Sequence, residues 1–158
     1  SLGKPTILCI AGNLSEERKG GPILKEILES EVKDHCQFLL IGVGNKINDP
    51  KVKSLGFVQD EITLRIAYHA ADVLLHPAQV DNLPNTVTES MSCGTPIVAF
   101  NTGGLPEMVI PNKTGFLVPV KNTKKLADTL EWLIKNPNER VAMGKEGRKF
   151  AEKEFPVE

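Results

Sequence analysis

Asp72-Val-Leu-Leu-His-Pro-Ala-Gln-Val-Asp-Asn-Leu-Pro-Asn-Thr-Val-Thr-Glu-Ser-Met-Ser-Cys-Gly-Thr-Pro-Ile-Val-Ala-Phe100 is the stretch that decides the fold. It opens on an apolar, strand-like run, Asp72–His76, and passes through a polar turn. It then enters a helical pattern that should start near Pro84 and contain Glu89. A second apolar run, Pro96–Phe100, closes it. Both runs are continuous rather than alternating, as in parallel strands whose two faces are covered by helices.

The same alternation extends outward. Thr6–Ala11 and Gln37–Ile41 are further buried-strand patterns, and weaker strands are expected at Lys53–Val58 and Gly115–Val118. Ile23, Leu24, Ile27 and Leu28 form a helical stripe behind Gly-Gly-Pro22, with proline near the first helical position. Residues 61–70 are helix-compatible. Leu126, Ala127, Leu130, Leu133 and Ile134 recur at helical spacing behind Asn122-Thr123, and Asn136-Pro137 predicts a cap and start for a last helix running to about Ala151. Strands alternating with helices over short loops imply right-handed βαβ units. The expected fold is α/β: a Rossmann-like, doubly wound parallel sheet in three α/β/α layers, as a single domain.

Composition narrows the function classes. Nineteen lysines and arginines stand against twenty acids in 158 residues, so no global field recruits nucleic acid or an anionic membrane. No basic run carries the interleaved aromatics of a single-strand platform, and no apolar run approaches a membrane span. Cys9, Cys36 and Cys93 each sit in apolar surroundings and read as small buried hydrophobes of a reducing compartment. No Cys-x-x-Cys, His-x-x-x-His or Asp-x-Asp spacing points to a metal. His35, His69 and His76 lie singly, which favours structural roles.

In a doubly wound sheet, ligands sit beyond the C-terminal strand ends, against helix N-termini. Five loops follow predicted strands: Gly12–Gly21, Gly42–Asn45, Phe57–Asp60, Pro77–Thr86 and Asn101–Pro106. In the fourth, Asp81 lies on the strand-end loop and Glu89 about one and a half turns inside the helix. Two readings stand for this pair. The carboxylates bracket a polyhydroxylated ligand lying across a helix N-terminus, or Asp81, Asn82 and Asn85 simply cap the helix. In the first loop, Arg18 and Lys19 precede a helix start, where amides and dipole favour a diphosphate; a solvated charged loop is the plainer alternative. Gly-x4-Gly-Lys-Ser/Thr is absent, and Gly42-Val-Gly44 has two of the three glycines of a dinucleotide fingerprint. Gly103-Gly104 permits close backbone approach or makes a turn, and Glu107 is expected to cap the next segment.

Taken in order, Lys19-Gly20, Ala71-Asp-Val-Leu-Leu-His-Pro77, Asp81-x7-Glu89-Ser-Met-Ser-Cys-Gly-Thr-Pro-Ile-Val-Ala, Gly103-Gly-Leu-Pro-Glu107 and Gly115-Phe-Leu-Val118 resemble the C-terminal domain of family 4 retaining glycosyltransferases, which have the two-domain GT-B fold. The resemblance covers about residues 6–155. It implies that residues 1–158 are the half that binds a nucleotide diphosphate sugar of the UDP or GDP type, with no cofactor or metal. The N-terminal acceptor domain and a final crossover helix would lie outside them. The family's Glu-x7-Glu motif maps onto Asp81 and Glu89. Glu89 would accept from ribose hydroxyls and Asp81 from hydroxyls of the transferred hexose. The backbone of Asn82, Leu83, Pro84, Asn85 and Thr86 would face sugar and phosphate. Lys19 would steady the diphosphate, in a loop with Gly12, Asn13 and Arg18, and the backbone around Phe57 and Val58 would meet the base.

Two positions depart from the family pattern. Asp81 is one methylene shorter than the usual glutamate, drawing its carboxylate back by roughly 1.5 Å. Asn13 stands where many members carry an arginine for the diphosphate, for which Arg18 would have to compensate. The expected activity of the whole protein is retaining hexosyl transfer to an acceptor glycan or lipid-linked sugar, in polysaccharide or glycoconjugate synthesis, with the chain alone inactive. The expected setting is cytoplasmic, open to peripheral association with the inner membrane face. The alternatives are a sugar-nucleotide epimerase of GT-B fold and a non-catalytic, flavodoxin-like ligand-binding or interaction module.

Overall fold

The computed structural model describes residues 4–13, 20–43, 47–79 and 85–155. Six strands form one sheet: β1 (Thr6–Asn13), β2 (Gln37–Val43), β3 (Val52–Ser54), β4 (Val73–His76), β5 (Ile97–Phe100) and β6 (Gly115–Val118). Helices α1 (Gly21–Glu29), α2 (Glu61–Ala70), α3 (Asn85–Ser92), α4 (Leu105–Met108), α5 (Thr123–Lys135) and α6 (Pro137–Glu154) connect and cover them. Every strand pairing is parallel, in the order β3-β2-β1-β4-β5-β6. The chain builds outward from β1 in one direction and from β4 in the other. The order therefore reverses between β1 and β4, and a crevice opens there beyond the carboxyl ends of those strands.

The continuous apolar runs are explained by two cores, one on each sheet face. Ile7, Cys9, Val73, Leu75, Val98 and Phe100 pack with α1 and α5. Their alternating neighbours Leu8, Leu74, Ile97 and Ala99 pack with α2, α3 and α4. Successive strand side chains point to opposite faces, so a strand covered on both sides is apolar nearly throughout, His76 being the polar residue that β4 buries. β4 and β5 accordingly bury all four of their residues.

Four local expectations change. The strand expected over Lys53–Val58 is only Val52–Ser54, because Gly56 turns the chain at φ +71° and no further strand lies outside it. β1 runs on through Gly12 and Asn13, which the sequence had assigned to the loop; its pairing with β2 becomes irregular between Ile10 and Asn13. A short 3-10 turn, Glu31–Asp34, has no counterpart in the sequence pattern; the Ser30 hydroxyl both donates to the Ile27 carbonyl and accepts from the Val32 amide. Asn136 and Pro137 stand at the cap and first position of α6 as expected, though the Asn136 side chain makes no capping bond and its amide donates instead to the Trp132 carbonyl of α5. α6 itself continues to Glu154, one turn past the expected end. Asn122 does cap α5, accepting from the Lys125 amide at 3.1 Å.

Candidate functional site

The carboxyl edge of the sheet is tied together across the crevice. Gly20, at the entry to α1, adopts φ +88°, and a Cβ placed there would lie 2.5 Å from the Pro77 carbonyl oxygen and 2.7 Å from the Pro77 Cβ. Only glycine permits both the backbone angle and the approach. The β1–α1 and β4–α3 connections are thereby pressed against one another. The Thr102 hydroxyl donates to the Gln79 carbonyl at 3.0 Å, bringing the β5–α4 loop to the same place. The Gly42 amide donates to the Gly56 carbonyl at 2.7 Å, linking the end of β2 to the segment that leads into α2. All four of these connections follow strands.

Several sequence-predicted residues lie outside the described residues: Arg18, Lys19, Asp81, Asn82, Leu83 and Pro84. Gly12 and Asn13 are at the end of β1, beside the crevice. Asn85 is exposed at the first position of α3. The Thr86 hydroxyl oxygen is enclosed and has no hydrogen-bond partner among the described residues. Phe57 presents 64% of its surface to solvent, while Val58 is half-buried against the α2–α3 core. The loop that carries them is anchored by Asp60, whose carboxylate accepts from the Thr63 hydroxyl and from the Ile62 and Thr63 amides. Those bonds, the Thr63 hydroxyl first, hold the Asp60 carboxyl below its ordinary range. Glu107 is exposed in the first turn of the short α4, whose cap position belongs to Gly104, so it does not cap that segment by its side chain.

Glu89 sits one turn inside α3 and lines an open cleft of about 290 Å³ between α2 and α3. Its carboxylate makes no ion pair or hydrogen bond among the described residues. Partial burial raises its pKa, and the neighbouring charge of Glu61 raises it further. Glu89 is thus an exposed side chain on the cleft wall with no partner among the described residues. Glu61, Arg65 and Tyr68 form the opposite wall, with Cys93 and Phe155 at the far end. Cys93 is therefore half-buried, packed against the α2–α3 core while lining the cleft, unlike the buried Cys9 and Cys36; all three are free thiols. The sequence reading missed the α2 wall. The available signal was the i, i+4, i+7 spacing of Glu61, Arg65 and Tyr68, which sets them on one helix face.

The family model described as glycosyl transferases group 1 matches residues 2–150. The chain belongs to that family. Among relatives of this group 1 member, the GDP-mannose-dependent alpha-(1-6)-phosphatidylinositol monomannoside mannosyltransferase of Mycobacterium tuberculosis is 29% identical over 169 residues, covering 93% of this chain and 43% of that protein. The solved sucrose-phosphate synthase of Thermosynechococcus elongatus superposes with a TM-score of 0.84 at 27% identity, over 96% of this chain and 41% of its own. The C-terminal domain of a glycosyl transferase group 1 family protein (LpcC) from Francisella tularensis has the same fold, with a TM-score of 0.85 at 20% identity over 99% of this chain and 88% of that domain. The group 1 chain thus spans less than half the length of the curated relatives it matches. Among its described residues no helix is long and apolar enough to cross a membrane.

Proposed function

We propose that this chain is the donor-binding half of a GT-B glycosyltransferase, and that the whole protein moves a hexosyl group from a UDP- or GDP-type sugar to a glycan or lipid-linked acceptor with retention at the anomeric carbon. The observation that carries this reading is Glu89: an exposed carboxylate, unpartnered among the described residues, in a cleft beside the strand-order reversal, at the family's second acidic position. Family membership and the relatives' names support transfer over the epimerase and sensing alternatives.

In this reading Glu89 accepts the ribose hydroxyls, Asp81 engages hydroxyls of the hexose, and the 82–86 backbone faces sugar and phosphate. The Phe57–Val58 backbone receives the base. The C1–O bond to the diphosphate breaks as the acceptor oxygen attacks from the same face, and the acceptor proton passes to the departing phosphate oxygen. Charge developing on the diphosphate is met by Lys19, Arg18 and the N-terminal amides of α1. Cationic side chains then do what a divalent ion does in other transferases, so catalysis is metal-independent and resists chelation. Acceptor recognition belongs to a further domain, in a protein working on the cytoplasmic side.

Calorimetric titration with UDP, GDP and ADP tests the reading. Binding of one diphosphate is expected at micromolar to millimolar Kd, weakened roughly tenfold or more by Glu89→Ala as charge-assisted hydrogen bonds are lost. Failure of all three to bind at millimolar concentration would remove the donor-domain reading.

A further inference from the structure

α2 carries apolar side chains on two opposite sides. Inward, it buries Ala67 and Tyr68 and packs Leu64 against the core shared with α3. Outward, Ile62 and Ile66 present 70% and 62% of their surface to solvent. Spaced four residues apart, they form one ridge on the side of the helix away from its buried residues. A surface helix ordinarily confines its large apolar residues to the stripe that meets the core. Single exposed apolar residues need no explanation, but here they gather: Leu55 and Phe57, just ahead of the helix, are exposed as well.

The charges beside this ridge are ordered along the helix. Glu61 stands in the first turn, Arg65 one turn later and His69 in the last turn. Glu61 and Arg65 are both exposed, yet neither makes an ion pair or a side-chain hydrogen bond among the described residues. A face that is acidic at one end and basic further along is complementary to itself when turned end for end, as a twofold contact requires. With the axis level with Leu64, Ile62 meets the partner's Ile66, and Ile66 meets the partner's Ile62. The same turn leaves Glu61 and the partner's Arg65 only about 3 Å apart along the helix direction, twice over. A parallel pairing would instead set Glu61 against Glu61 and Arg65 against Arg65.

We propose that the outward face of α2 docks a second copy of this chain, antiparallel across a twofold axis. Ile62 and Ile66 supply the buried apolar contact, and Glu61–Arg65 pairs between the copies fix its direction. One helix face is small against the roughly 800 Å² per partner of a standard stable interface, so the dimer is a weak one, with Kd on the order of 0.1–1 mM. The inference is independent of the donor-domain reading, since neither isoleucine lines the cleft that holds Glu89.

The test is sedimentation equilibrium of the 158-residue chain at concentrations from about 10 μM to about 2 mM, which bracket that Kd. A monomer–dimer equilibrium is expected. Ile62→Ser and Ile66→Ser should each leave the chain monomeric over the same range, because every change at a twofold contact counts twice. Both side chains are exposed, so neither variant threatens the fold. Glu61→Arg and Arg65→Glu should each weaken association several-fold. The double variant reverses both charges, keeps the pairing between copies and should regain most of the parent affinity. Three results would overturn the proposal: a parent chain that stays monomeric throughout, serine variants that associate as the parent does, or a double variant that associates no better than the single ones.

Discussion

The two ends of the sheet treat similar side chains in different ways. At the amino end, Asp72 accepts from the Thr6 amide at 2.8 Å and pairs with Arg140 at 3.6 Å. Arg140 also donates to the Leu133 and Ile134 carbonyls, each at 3.0 Å, and closes the end of α5. Gln37 donates to the Thr6 hydroxyl, and Thr95 donates to the Tyr68 carbonyl. Toward the carboxyl end, Asp60 and Thr102 are likewise bonded, but Glu61, Glu89 and the Thr86 hydroxyl have no such partners among the described residues. Desolvated polar groups without partners cost stability. The amino end ties its polar groups into the fold, whereas the carboxyl end combines such ties with polar groups that have no partner among the described residues. The difference is the one expected if the carboxyl end meets a ligand.

Breaking the carboxyl end at its structural tie should have the largest effect. Gly20→Val forces a β-branched residue into the left-handed region and into the Pro77 carbonyl. The expected loss is about 3 kcal/mol or more, read as a fall in Tm, with nucleotide binding lost too. The amino end gives the next effect, with a different signature. Arg140→Ala strands two helix-end carbonyls and Asp72, at about 2–3 kcal/mol. Because the residue is remote from the cleft, nucleotide affinity should be unchanged under conditions where the variant is folded. Loss of affinity there would erase the division between the two ends.

The smallest effect has the opposite sign. The Glu89 pKa is raised in the folded chain, so its ionisation opposes folding. That penalty is absent below the unfolded value of about 4.3 and grows as pH rises through the higher folded value. Glu89→Gln should therefore raise Tm at neutral pH and not in acid, while weakening nucleotide binding. The gain should stay under about 0.5 kcal/mol, since solvent screens a side chain this exposed. Asp60, with its lowered pKa, runs the other way: its contribution to α2 is present above the unfolded carboxyl value and is lost as pH falls through the folded one. A variant Glu89→Gln that lowered stability at neutral pH would make Glu89 a structural residue.

Much of this molecule was readable before any tertiary contact. The strands at Thr6, Gln37, Asp72 and Pro96 announced themselves because burial on both faces leaves few polar positions in the run. Asn122 was readable as a cap because its bond is local. Asn136 was readable as the residue ahead of α6, but not the bond its side chain makes, because the same amide serves equally well at the end of one helix or the start of the next. Cys93 looked like core from its neighbours and does pack against the α2–α3 core, but just past the end of α3 it also lines the cleft. The wall of Glu61, Arg65 and Tyr68 was spaced for one face, but charged residues at helical spacing describe any solvated surface.

The sequence by itself determined the parallel α/β architecture, the family, and Glu89 as the acid worth following, because periodicity and ordered motifs are properties of the chain alone. Tertiary structure decided the rest. Only the contact with Pro77 explains why residue 20 must be glycine, and only the packing of α2 beside α3 brings Glu61 and Tyr68 to face Glu89. Both depend on distances between segments far apart in the chain, set by a strand order that no local pattern encodes.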